Sequence, residues 1–241
     1  MTTAATGFPL LGSQPAGNFF QPDTTQRHTL GAIITVVDPF WGGQDLIYLS
    51  NPTATALSTG TPVVWDVNNQ ATAVPNTANL GMPLAFALNA FPSQTGTSYG
   101  WFVVAGRFVA ASNASVAAAA QIGIAAAGRL GANTAGKEVL NARVAAAATT
   151  TVAKTNTNTQ SGSNLIRVSN TDGWFVGVAL TGTGIPASTT ITAIDPDNRT
   201  VTMNNNATAT GTVTVTGTYN DGTIFYNVVT TDRPFAQGAI T

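Results

Sequence analysis

Thr212-Val213-Thr214-Val215-Thr216 alternates a hydroxyl with an aliphatic side chain at every step, and Thr200-Val201-Thr202-Met203 does the same just before it. A period of two puts one residue type on each face of a β-strand. Both runs therefore read as strands with one buried face and one face lined by threonine. Asp195-Pro196-Asp197-Asn198 stands ahead of Thr200 and has the chemistry of a turn. Thr189–Ile194, Val176–Thr181 and Leu165–Ser169 supply three more runs of strand length. Residues 165–218 are thus expected to form a small β-sandwich module. Gly182-Thr183-Gly184-Ile185-Pro186 lacks the Lys-Ser/Thr pair of a phosphate-binding loop, so it reads as a turn.

The same signals extend upstream. Ala32–Val37, Leu46–Leu49, Thr61–Asp66, Ala71–Val74, Met82–Leu88 and Trp101–Val109 are short β-branched or aromatic runs with turn residues between them. Val67-Asn68-Asn69-Gln70 predicts a hairpin. Spacing of this kind points to a barrel or sandwich body over residues 31–148. The Ala-rich stretch Ala110–Ala148 is broken by Gly123, Gly128, Gly131 and Gly136. We expect a helical turn or two over Ser115–Gln121, capped by Ser112-Asn113, and strands at Gln121–Ala126 and Glu138–Ala146. Thr149–Asn164 is nearly all small polar residues without an apolar period, which predicts a linker. Thr223–Val229 is one more strand, placed to complete the body within residues 219–241. Residues 1–30 show neither period and read as an extended arm. The fold class expected is mainly β: a barrel or sandwich body, a second small β domain and the arm.

The chain has 241 residues, of which 44% are hydrophobic but only 8% charged, with a net charge of −1 and no cysteine. Globular chains usually carry about a quarter charged residues. The polar surface here must be Thr, Asn, Ser, Gln and Gly, which cost less to bury against a partner than ions do. No cluster of Lys or Arg faces a phosphate backbone, so no nucleic-acid partner is expected. No stretch approaches the ~20 apolar residues of a membrane-spanning helix, and no membrane partner is expected. Met1–Thr25 lacks a basic residue and a continuous apolar run, so it is not expected to be a secretory signal.

Catalytic chemistry has little to draw on. A nucleophile needs a base beside it, and the single histidine, His28, falls in the arm, where a solvated role is expected. One histidine and no cysteine cannot make a zinc site. Asp195 and Asp197 belong to a turn. No catalytic residue, metal or cofactor is expected. The interesting residues are aromatic instead. Trp65 and Trp101 lie in apolar strands and read as core. Trp41 beside Phe40 and Gly42-Gly43, and Trp174 after Asp172-Gly173, sit in turns and are candidates for an interface, as are Phe19 and Phe20 in the arm and Arg233 and Phe235 in the C-terminal tail.

Ser58–Asp66 (STGTPVVWD), Leu80–Leu88 (LGMPLAFAL), Gly100–Val109 (GWFVVAGRFV) and Gln121–Val144 together resemble the capsid decoration, or cement, proteins of tailed bacteriophages. The segment from Trp174-Phe175-Val176-Gly177 to Ala207–Thr216 resembles a small β module that recurs in phage head and tail proteins. The resemblance implies a virion protein on the capsid exterior. Its partners would be the major capsid protein lattice and its own copies, as a homotrimer. The alternative is a head-fibre or tail-associated adhesin, with Trp174 and Asn204-Asn205-Asn206 contacting host glycans.

Overall fold

The computed structural model describes residues 21–53 and 55–237. Phe19 and Phe20 lie outside the described residues. The chain is all β, and among the described residues no helix is long and apolar enough to cross a membrane. It contains a larger sheet and a closed six-stranded barrel.

The larger sheet opens with an antiparallel hairpin, β1 (Ile33–Asp38) and β2 (Gly42–Asn51), followed by β3 (Pro62–Trp65), β4 (Ala71–Ala73) and β5 (Leu84–Ala87). The long strand β6 (Ser98–Ser112) is its axis. The first half of β6 pairs with β2 and β5, and the second half pairs with the C-terminal strand β16 (Phe225–Ala236). Around that second half, β7 (Gln121–Ala126), β8 (Arg129–Ala132), β9 (Glu138–Ala146) and β16 form a ring of pairings that returns to β6. Gly60 shows why small residues recur here. It has φ +73°, and an added Cβ would fall 2.7 Å from the Val109 carbonyl oxygen of β6.

The first-half strands bury both faces. Ile47, Leu49, Val63, Ala85, Ala87, Phe102 and Val104 form one cluster with Leu57 and Phe91. The alternate residues Leu46, Tyr48, Val64, Leu84, Phe86, Trp101 and Val103 join a second, larger core. Two-sided burial explains why these strands read as continuous apolar runs such as WFVV. Trp101 is buried, as expected of a core residue, and Trp65 is half-buried against the smaller cluster.

The barrel comprises β10 (Thr151–Thr159), β11 (Leu165–Arg167), β12 (Ala179–Gly182), β13 (Thr189–Asp195), β14 (Thr200–Met203) and β15 (Gly211–Thr218), closed in the order β10-β11-β14-β13-β12-β15. Val201, Met203 and Val215 point inward while Thr212 and Thr214 are exposed, as the alternation predicts. The expected linker over 149–164 is a strand instead. The inward positions of β10 hold Lys154, Thr157 and Thr159, whose polar groups are satisfied locally, so no apolar period marks it. Closure then follows from Thr151 pairing with Thr218, which sets the barrel's first and last strands side by side.

No helix forms over 115–121. The N–H of Val116 donates to the side chain of Asn227 and that of Ala119 to the Val144 carbonyl, and Ala119 takes φ +65°, outside helical geometry. The C-terminal stretch expected as a tail is the end of β16, with Phe235 paired to Leu140 and bridged to Pro83.

Barrel and sheet share one core. Val168, Val178, Leu180 and Val215 of the barrel belong to the same cluster as Val103, Val109 and Val228 of the sheet. Aromatic rings cross the junction, with Phe175 4.9 Å from Tyr226 and 5.1 Å from Tyr219.

Candidate functional site

The turn between β1 and β2 is built on Asp38. Its Oδ1 accepts the N–H groups of Phe40 and Trp41, each at 2.7 Å, which fixes both aromatic residues at the hairpin tip. Trp41 then packs edge-on to Phe40 and Phe108 and tilts over Tyr219. From the barrel, the segment 170–176 approaches the tip. Asn170 Oδ1 accepts from the Asp172 N–H at 3.1 Å and from the Lys154 ammonium at 2.6 Å, and Lys154 also donates to the Asp172 carbonyl at 2.6 Å. Trp174 is 6% exposed, donates from Nε1 to the Val152 carbonyl at 2.9 Å, and has Lys154 Nζ 5.9 Å from its ring centroid. The Tyr219 hydroxyl donates to the Gly173 carbonyl at 2.6 Å. Gly173 is required there: its φ is +75°, and a Cβ would press 2.8 Å from the Phe40 ring.

Between hairpin tip and barrel segment lies a cavity of about 210 Å³. Trp41, Phe108, Trp174 and Phe175 give it aromatic walls, and Asp38, Asn170, Asp172 and Arg199 give it polar groups. Apolar walls with a few convergent polar groups are the usual make-up of a ligand site.

Burial raises the Asp38 carboxyl above its ordinary range, with Asp172 adding to the rise; the N–H groups of Trp41 and Phe40 partly offset it. Burial lowers the Lys154 ammonium, against the pull of Asp172. Burial, with Asp38 second, drives the Tyr219 hydroxyl far above its normal range, so it stays a neutral donor.

Two of the expected interface residues, Trp41 and Trp174, meet in this one cavity, though Trp174 is buried and not exposed. Arg233 and Phe235 are elsewhere, on β16. Arg233 pairs with Asp45 at 3.2 Å, and Phe235 is half-buried. The expected glycan contacts Asn204 and Asn205 are engaged in a turn: Asn204 accepts the Thr190 N–H and donates to the Ser188 carbonyl, and Asn205 also donates to Ser188. His28 is not solvated but half-buried between Tyr48 and Trp101, 5.0 and 5.1 Å away. Sequence reading missed Asp38, Lys154 and Tyr219. The available signal was an aspartate two or three residues ahead of each turn tryptophan, in Asp38-Pro39-Phe40-Trp41 and Asp172-Gly173-Trp174. Among the described residues no group of His, Asp or Glu is arranged to hold a metal ion. No family model, curated protein or solved structure matches the chain.

Proposed function

We propose that this chain is a virion structural protein that decorates the capsid exterior and stabilises it by binding the major capsid protein lattice. The observation that supports this reading is the edge of the larger sheet. Among the described residues strand β1 pairs with β2 alone, and its outward face, Ile33-Thr35-Val37, is exposed, Val37 by 68%. Edges of this kind are normally blunted with charge or proline, and β1 (IITVVD) carries neither before its last residue. An open, β-branched edge is a template for strand addition by a partner. The scarcity of charge fits the same role, since a neutral surface is cheaply desolvated over a permanent contact. Repetition over a shell then multiplies each contact by avidity.

Capsids assembled from the major capsid protein alone test this. Mixing them with the purified chain is expected to give saturable, stoichiometric co-sedimentation and a higher capsid disruption temperature. No co-sedimentation with such capsids would overturn the reading.

A further inference from the structure

We propose that the cavity between Trp41 and Trp174 is a binding site for one pyranose ring of a neutral glycan, a site that adjoins the β1 edge at Val37.

The cavity makes two demands on an occupant. Its aromatic walls, Trp41 and Phe108 from the sheet with Trp174 and Phe175 from the barrel, ask for an apolar surface. Its polar groups are of both kinds. Asp38 gives Oδ1 to the hairpin turn, which leaves Oδ2 as an acceptor. Asn170 gives Oδ1 to Lys154 and to the Asp172 N–H, which leaves its NH₂ as a donor. Arg199, exposed beside the cavity, offers further donors and Asp172 further acceptors.

Each simpler occupant fails one demand. A purely apolar side chain would strip water from Asp38 and Asp172 without replacing it, which is unfavourable for unpaired polar groups and more so for ions. An anion would face both carboxylates. A metal ion would find two carboxylates and no third ligand of that class. A neutral sugar ring meets both demands, because its C–H faces lie flat on aromatic rings while its rim of hydroxyls donates to carboxylates and accepts from amide and guanidinium. The size agrees: about 210 Å³ is below the ~300–1,000 Å³ of sites for drug-sized ligands, and suits a single ring.

The test is saturation-transfer NMR and tryptophan fluorescence on the whole chain, with methyl glycosides of glucose, galactose, mannose and N-acetylglucosamine and with an array of neutral and acidic glycans. At least one neutral glycoside is expected to bind saturably and to shift the tryptophan emission. Trp41→Ala is expected to weaken that binding by about 10-fold or more, as the loss of an aromatic anchor does. Arg199→Ala and Asp172→Asn, at exposed positions that leave the fold intact, are each expected to weaken it by roughly 3- to 10-fold, the effect of one polar contact. If Trp41→Ala unfolds, the two surface variants decide the matter. The proposal is overturned if no neutral glycoside or glycan binds, if acidic glycans alone bind, or if binding survives Arg199→Ala and Asp172→Asn unchanged.

Discussion

Asn227 is fully buried on β16, and its amide ties that strand to two other segments, 114–116 and the backbone at Ala148. Oδ1 accepts from the Val116 N–H at 2.9 Å and the Ala148 N–H at 3.1 Å, and Nδ2 donates to the Ala114 carbonyl at 2.9 Å. Replacing it with leucine of similar volume leaves two backbone donors and one acceptor buried without partners. Asn227→Leu is expected to cost about 3 kcal/mol or more in urea unfolding, at ~1–3 kcal/mol per orphaned group with partial relaxation. His28 gives a pH prediction. Burial lowers its pKa below 6.5, so the folded state disfavours the imidazolium. Its contribution is fully present above pH 6.5 and is lost as pH falls through the lowered value. The melting temperature is expected to drop between pH 7.5 and 5, and the drop should shrink in His28→Phe. At this scale the sequence was legible in the turn settings of Trp41 and Trp174 but not in the burial of Trp174, which was expected to be exposed. It was not legible for His28 or Lys154, whose settings depend on strands far away in the chain.

Strand β1 is the element on which the proposed capsid contact rests. A lysine on its outward face would blunt the edge while touching nothing in the core. Ile33→Lys and Val37→Lys are each expected to change unfolding free energy by no more than ~0.5 kcal/mol, as surface substitutions do. Both should abolish or greatly weaken capsid co-sedimentation. Loss of binding by neither variant would separate the decoration role from this edge. Elements with alternating Thr and Val were readable directly, because inward and outward residues differ in kind. Strand β10 was not, since its inward residues are Lys154, Thr157 and Thr159 and the polar groups are paired only once the barrel has closed. Strand β8 (RLGA) is too short and too small in its side chains to announce itself, and it is held by β7 across the turn at Gly128. The helix expected over 115–121 rested on alanine propensity alone, which tertiary hydrogen bonding overrode.

For the molecule as a whole, the shared core means that barrel and sheet are one stabilising unit. Cutting out residues 151–218 and rejoining Thr150 to Tyr219 would expose Tyr219 and Tyr226, against which Phe175 now packs. The shortened chain is expected to melt well below the intact one by calorimetry and to aggregate on heating. A melting temperature within a degree or two of the parent would contradict a shared core. The barrel's position in the chain also sets a schedule for its birth on the ribosome. About 80 residues separate the end of β9 at Ala146 from the start of β16 at Phe225. At ~5–20 residues per second, translation takes several seconds to cross that interval. Throughout it, β6 and β9 wait with open edges for the strand that will join them, while the barrel between them has all six of its own strands to hand. The nascent chain therefore finishes its later half first, and the earlier half must be kept from sticking to its neighbours until the last strand arrives.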